Sequence, residues 1–327
     1  MTGVEDLWTL SDLCTPWCVH VAATLRIADH ISAGHTEIEK LAPAAGADRD
    51  SLWRVLRHLV GKGVFEEPSP GRFALNDAAR GLLDERMRLG LDLDGFGGRM
   101  AQAWGTLLSA VRSGRPAYRQ AFGREFWEDL DTHPDIAASF DALMGPGGHG
   151  LPDPDVLANA DEWAAVRTVV DVGGGTGALL AEVLRKRPRL RGTLVDLPRT
   201  VARSAEIFRA AGVADRVTTI GQSFFDPLPG GADLYLLKSV LDDWPDREAT
   251  AILKRCAEAA RPSGRVVVFT HAGPGEDASP ALLMMVLVGG RDRTLDEFRE
   301  MAREAGLDVQ SAGRQRSGRV IVECRPT

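Results

Sequence analysis

The chain has 327 residues, 44% hydrophobic and 26% charged, with a formal net charge of -7. That length suits about two domains, and the composition is that of an ordinary globular protein. The acidic balance argues against a broad nucleic-acid surface, and the longest apolar run, "ALLMMVLV" from Ala281 to Val288, is too short to span a membrane.

The opening residues, "MTGVEDLWTLSDL", carry early acids and no basic stretch before an apolar core. They do not read as a signal peptide, so a cytoplasmic location is expected. There are four cysteines, Cys14, Cys18, Cys256 and Cys324. Cys14 and Cys18 have helical i, i+4 spacing, but no further Cys or His pair completes a metal set. Reduced structural thiols and no metal are therefore expected.

Residues 1 to about 110 read as helical. In "PWCVHVAATLRIADHI", Val19, Ala22, Ala23, Leu25, Ile27 and Ile31 form an apolar stripe. A short helix follows from Thr36 to Ala45, opened by a capping-box pattern of Thr36 with Glu39. After a turn at Gly46, a second helix from Asp50 to Gly61 turns Leu52, Val55, Leu56 and Leu59 inward. A hairpin, "GVFEE" and "GRFAL" joined by "PSPG", completes a winged-helix pattern. Such a pattern invites a regulator that binds DNA through Arg49, Arg54, Arg57 and His58. The acidic wing (Glu66, Glu67) and the overall charge favour an interaction domain without nucleic acid.

Residues 85 to 160 carry helical segments rich in aromatics. Glycines and prolines crowd "GPGGHGLPDPD", Gly145 to Asp155, where a domain junction is expected. The division is thus a helical first domain over 1–150 and a second domain over 151–327. From Ala165 short apolar runs alternate with helices. The runs are "RTVVDVG", "RGTLVDL", "DRVTTIGQ", "ADLYLLKS" and "GRVVVFTH"; the helices are "GALLAEVLRKR", "RTVARSAEIFRAAG" and "REATAILKRCAEAA". This is the signature of an α/β doubly wound parallel sheet. The tail supplies one more helix and two strands suited to an antiparallel edge.

"VVDVGGGTGALL" follows the first of these strands and opens a helix. Gly173, Gly175 and Gly177 permit a tight turn and close approach of backbone to a ligand. Asp196 ends the next strand, where a carboxylate can hold ribose hydroxyls. The loop alone also fits a dinucleotide site. Asp171, at the strand end before the glycines, suits a ligand's ammonium group, and the strand-helix-strand ending also favours S-adenosylmethionine.

Taken together, "DVGGGTG", "LVDLP", "SFFDPLP", "LKSVLDDWPD", "AILKRC" and "GGRDRTLDEF" resemble the small-molecule O-methyltransferases of the plant caffeate and bacterial aromatic-polyketide type. The resemblance covers nearly the whole chain. It implies a Rossmann-like methyltransferase domain, a homodimer joined by N-terminal helices, and an aromatic polyketide or phenolic substrate from natural-product biosynthesis. By the same resemblance Asp171 and the glycines hold the methionine part, and Asp196, with Leu197 beside it, the ribose. Ser223 and Phe224 flank the adenine, and Lys238 contacts the cofactor. Trp244 closes over the adenine or the substrate cavity. Phe126, Trp127, Phe140, Met144, Met284 and Met285 are candidates for lining an aromatic pocket, with core packing as the competing role.

One departure bears on the chemistry. Where the family reads His-Asp-Trp, this chain reads Asp242-Asp243-Trp244. The resemblance makes that histidine a general base oriented by two glutamates, whose positions here hold Thr270 and Asp292. A phenol of pKa about 10 is largely protonated at neutral pH, and a free Asp of pKa about 3.9 matches it poorly. Asp242 acts as a base if a second carboxylate or burial raises it. Asp243 would point elsewhere on a helix, leaving Asp292 as the better partner. Alternatively Asp242 is a helix cap, and an acidified substrate needs no base. His271 and His149 are further candidate bases. A third reading keeps the cofactor but changes the chemistry, to hydroxylation, decarboxylation or cyclisation.

Overall fold

A computed structural model gives the fold and describes residues 6–145, 164–270, 279–315 and 319–327. The chain divides into two compact units, Met1–Ala101 with Asp135–Leu143, and Gln102–Pro134 with Met144–Thr327.

In the first unit the helices Cys14–Thr24, Ile27–Ser32, Ile38–Ala44 and Arg49–Gly61 precede a hairpin of β1 (Phe65–Ser69) and β2 (Arg72–Leu75). Ile27, Ile38, Leu41, Leu56, Leu59, Phe65 and Phe73 form its core, each at most 1% exposed. Leu52 joins them, whereas Val55 is only partly buried. The helix expected from Asp50 begins one residue earlier, because the Asp48 carboxylate accepts the Ser51 N–H at 2.9 Å and fixes the start. The capping box expected at Thr36 does not form. Glu37 is the cap and makes no side-chain bond to the helix. The reason is a competing partner: the Thr36 carbonyl accepts from Phe73 N–H at 2.8 Å and Glu37 bridges Arg72, so the wing holds this stretch extended.

The second unit is built on a seven-stranded sheet of order β5-β4-β3-β6-β7-β9-β8. Its strands are β3 (Thr168–Val172), β4 (Arg191–Asp196), β5 (Val217–Gly221), β6 (Leu234–Lys238), β7 (Arg265–Thr270), β8 (Leu307–Arg314) and β9 (Val320–Pro326). The first five run parallel, and β9 lies antiparallel between β7 and β8. Period-two alternation feeds two cores. Val170, Val172, Tyr235, Leu237, Val266 and Val268 pack in one. Val169, Leu234, Leu236, Val267 and Phe269 pack in the other. Residues 198–211 form two short helices, Pro198–Val201 and Ser204–Ala210, where one was expected. Arg203, between them, is the N-cap of the second, so the break falls after Val201. Strand order reverses at β3, and in such sheets ligands bind beyond the carboxyl ends of the strands at this point. Among the described residues no helix is long and apolar enough to cross a membrane.

Candidate functional site

The carboxyl ends of β3, β4, β6 and β7 carry Asp171, Asp196, Lys238 and Thr270. Asp171 is 1% exposed and its Oδ2 has no hydrogen-bond partner among the described residues. An orphaned buried acceptor costs about 1–3 kcal/mol, so the position is built for a donor from outside the chain. Burial, and then the charge of Asp196, push the Asp171 carboxyl up to about 7, while Lys238 pulls it back down.

The glycines let the loop pack closely against the side chains around Asp171. Gly173 has φ +68°, and a Cβ there would lie 2.9 Å from Val240 and 3.3 Å from the Phe224 ring. A Cβ at Gly174 would meet Asp171 Oδ2 at 2.5 Å. Gly177 adopts φ +85° at the start of the helix Ala178–Lys186. Asp196 is set by the main chain: its Oδ2 accepts Gly175 N–H at 2.8 Å and its Oδ1 accepts Leu197 N–H at 2.7 Å. Burial raises its pKa. An unpartnered buried acceptor at Asp171 and a second acceptor, Asp196, held in place by Gly175 N–H, fit the ammonium and ribose of an amino-acid nucleoside.

Beside the cradle stands an aromatic wall. Phe224, over Gly173, meets Trp244 edge to face at 5.8 Å. Phe225 meets the same indole at 5.0 Å, and Trp127 stacks on it at 5.9 Å with 16° between planes. Phe126 is buried edge-on between Tyr118 and Trp127 and so supports the wall. The Ser223 hydroxyl accepts Phe225 N–H at 3.2 Å, turning the chain after β5. Met284 and Met285 are half-buried on the helix Ser279–Leu287, and Met144 is exposed. Phe140 packs in the first unit, edge to face with Phe96 at 5.0 Å. His271 and His149 lie outside the described residues, as does most of the expected junction.

The acidic pair sits in a three-residue turn, Leu241–Asp243, before the helix Asp246–Ala260. That helix is capped by Pro245 without a side-chain bond, so Asp242 is not its cap. The Thr270 hydroxyl donates to Asp242 Oδ1, which couples two of the three positions singled out in the sequence. The segment is one turn of 3-10 helix, with three residues per turn, so the side chains of Asp242 and Asp243 leave it in different directions. Burial, and then the charge of Asp242, push Asp243 up to about 8.

Sequence reasoning missed what holds this turn. Arg293 is 4% exposed, and its guanidinium donates to the Leu241 carbonyl at 2.8 Å, the Trp244 carbonyl at 2.5 Å and Asp246 at 2.9 Å. Gly290 approaches so closely that a Cβ would lie 2.1 Å from the Asp242 carbonyl oxygen. Half-buried Asp292 lies between these two anchors. Spacing gives no cue to a buried arginine; only "GGRDRT" itself marked the loop. Arg293→Ala leaves two carbonyls without their donor and should cost about 3 kcal/mol of stability. Thermal unfolding measures that loss, and Arg293→Lys should recover only part of it.

The O-methyltransferase domain family matches residues 104–308, and the O-methyltransferase dimerisation domain matches residues 8–85. The 2,7-dihydroxy-5-methyl-1-naphthoate 7-O-methyltransferase of Streptomyces carzinostaticus is 44% identical over 94% of this chain and 93% of its own. The aclacinomycin 10-hydroxylase of Streptomyces purpurascens is 41% identical over 93% and 84%. An O-methyltransferase from neocarzinostatin biosynthesis, solved with S-adenosylmethionine and 2-hydroxy-5-methyl naphthoic acid, superimposes with a TM-score of 0.93. It is 42% identical, with 100% of both chains covered.

Proposed function

The chain belongs to the O-methyltransferase family that carries its own dimerisation domain, and from that premise we propose how its residues divide the work. It is an S-adenosylmethionine-dependent enzyme that methylates a hydroxyl of an aromatic small molecule in natural-product biosynthesis. The observation that carries this reading is the orphaned Asp171 Oδ2 in its glycine cradle, beside the Asp242–Thr270 pair. Asp171 receives the cofactor's ammonium group, Asp196 the ribose, and Phe224 with Ser223 the adenine. The bound cofactor supplies an electrophilic methyl group on a good leaving group, so the protein's part is alignment and a competent nucleophile. Trp127 and Trp244 offer a flat face to an aromatic ring. Asp242, oriented by Thr270, takes the hydroxyl proton, and Asp292 shapes the loop against it.

The substrate class is a hydroxylated naphthoate or a related polyketide acid. Homodimerisation runs through the N-terminal helices, where Leu7, Trp8, Leu10 and Leu13 are 62–84% exposed. Nucleic acid has no part in the reading. Arg49, Arg54 and Arg57 pair with Glu39, Asp50 and Glu67, and His58 contacts Thr15. The expected location is the cytoplasm.

The test is incubation of the pure protein with S-adenosylmethionine and hydroxynaphthoates, anthraquinones and catechols, read by mass spectrometry. A product one methyl heavier is expected. Tight cofactor binding with no methylated product across the panel would favour changed chemistry, the second reading. The missing base histidine and the hydroxylase relative keep that reading in view.

A further inference from the structure

The spacing of Cys14 and Cys18 lacked a third ligand in the sequence; the fold supplies one. Cys14 opens the helix Cys14–Thr24, and Cys18 follows one turn later. His58, in the last turn of the helix Arg49–Gly61, brings a ring nitrogen to the two sulfurs, all three ligand atoms lying within 4.8 Å of one another. The sulfurs are 3.8 Å apart. Tetrahedral zinc with Zn–S bonds of about 2.3 Å requires an S···S edge of about 3.8 Å. The sulfurs therefore already stand at the separation the ion needs, with the imidazole nitrogen within 4.8 Å of both.

The surroundings fit a ligating histidine. His58 Nε2 lies 2.8 Å from the Thr15 hydroxyl, which donates to Asp12 in turn. Metal-bound histidines are commonly oriented by such a second contact. Asp12 itself is engaged by Cys14 N–H at 2.8 Å and by Lys62 at 3.0 Å. Cys14 is exposed and Cys18 partly buried in the single chain. Two thiolates and an imidazole select a borderline-soft ion over calcium or magnesium.

We propose that Cys14, Cys18 and His58 form a zinc site that ties the N-terminal helix to the helix Arg49–Gly61. It lies in the matched dimerisation domain and is independent of the methyl-transfer reading.

The test uses the full chain, reduced, stripped with a chelator, reloaded with zinc and desalted. Elemental analysis should find one zinc per chain, and zinc should raise the thermal transition. Cobalt in its place should show an intense tetrahedral thiolate spectrum. The double variant Cys14→Ser/Cys18→Ser should lose retention, and His58→Gln should weaken binding roughly tenfold or more. If the double variant fails to fold, zinc protection of Cys14 and Cys18 from alkylation in the wild-type protein decides. No retained zinc in the reduced wild type, retention unchanged by the double substitution, or alkylation of both thiols unaffected by zinc would each overturn the site.

Discussion

Asp171→Asn is expected to abolish S-adenosylmethionine binding and, at the same pH, to stabilise the cofactor-free protein. Both effects come from one carboxylate held without a donor. Removing the charge opposite a bound ammonium in a buried site costs about 3 kcal/mol or more, a hundredfold or greater loss of affinity. In the cofactor-free chain the same charge is a burden. Burial holds the folded-state pKa at about 7, well above the range of a free carboxyl. A group raised on folding contributes stability that is fully present below its unfolded pKa and is lost as pH rises through its folded pKa. Ionising Asp171 therefore costs up to about 4 kcal/mol by pH 8. The asparagine variant escapes that cost, less whatever its buried amide leaves unbonded. Thermal unfolding at pH 5 and pH 8, with and without cofactor, reads both effects. The wild type should gain most from the cofactor at the higher pH, and its affinity should fall as pH drops below about 7. Binding by the variant within tenfold of the wild type would remove Asp171 from the ammonium site.

Asp242→Ala should lower the methyl-transfer rate by roughly 10²–10⁴-fold, the range a positioned base supplies, with cofactor affinity unchanged. Single-turnover rates with a simple naphthol and with its ortho-carboxylate analogue separate two mechanisms. A large loss on both identifies Asp242 as the base. A rate equal to wild type on the carboxylate analogue alone would mean that the substrate's own carboxylate takes the proton and the protein supplies alignment. Asp243 adds a pH signature. Its proton leaves at about 8, after which a second negative charge joins the turn where a phenolate must form. The rate should fall above that pH, and Asp243→Asn should flatten the alkaline limb.

The doubly wound sheet was legible because each buried strand is a short apolar run bounded by turn residues, and "DVGGGTG" marks the turn after the first. Asp196 was legible through its distance from the glycines. Local contacts misled where a distant partner competed. Thr36 had the sequence of a cap, but pairing with the wing took its backbone. Arg293 and His58 were out of reach for another reason. Each acts across more than 40 residues of sequence, Arg293 on Leu241 and His58 on Thr15. No local period carries that information. The expected division near residue 150 also differs from the packing, in which 102–134 joins the second unit.

The turn bearing Asp242 takes its shape from main-chain contacts: two carbonyls held by Arg293 and the close approach of Gly290. The identity of the side chain at 242 is thereby uncoupled from the path of the backbone. A different side chain can stand at 242 while that support stays in place, so the position tolerates exchange without a change in the frame around it.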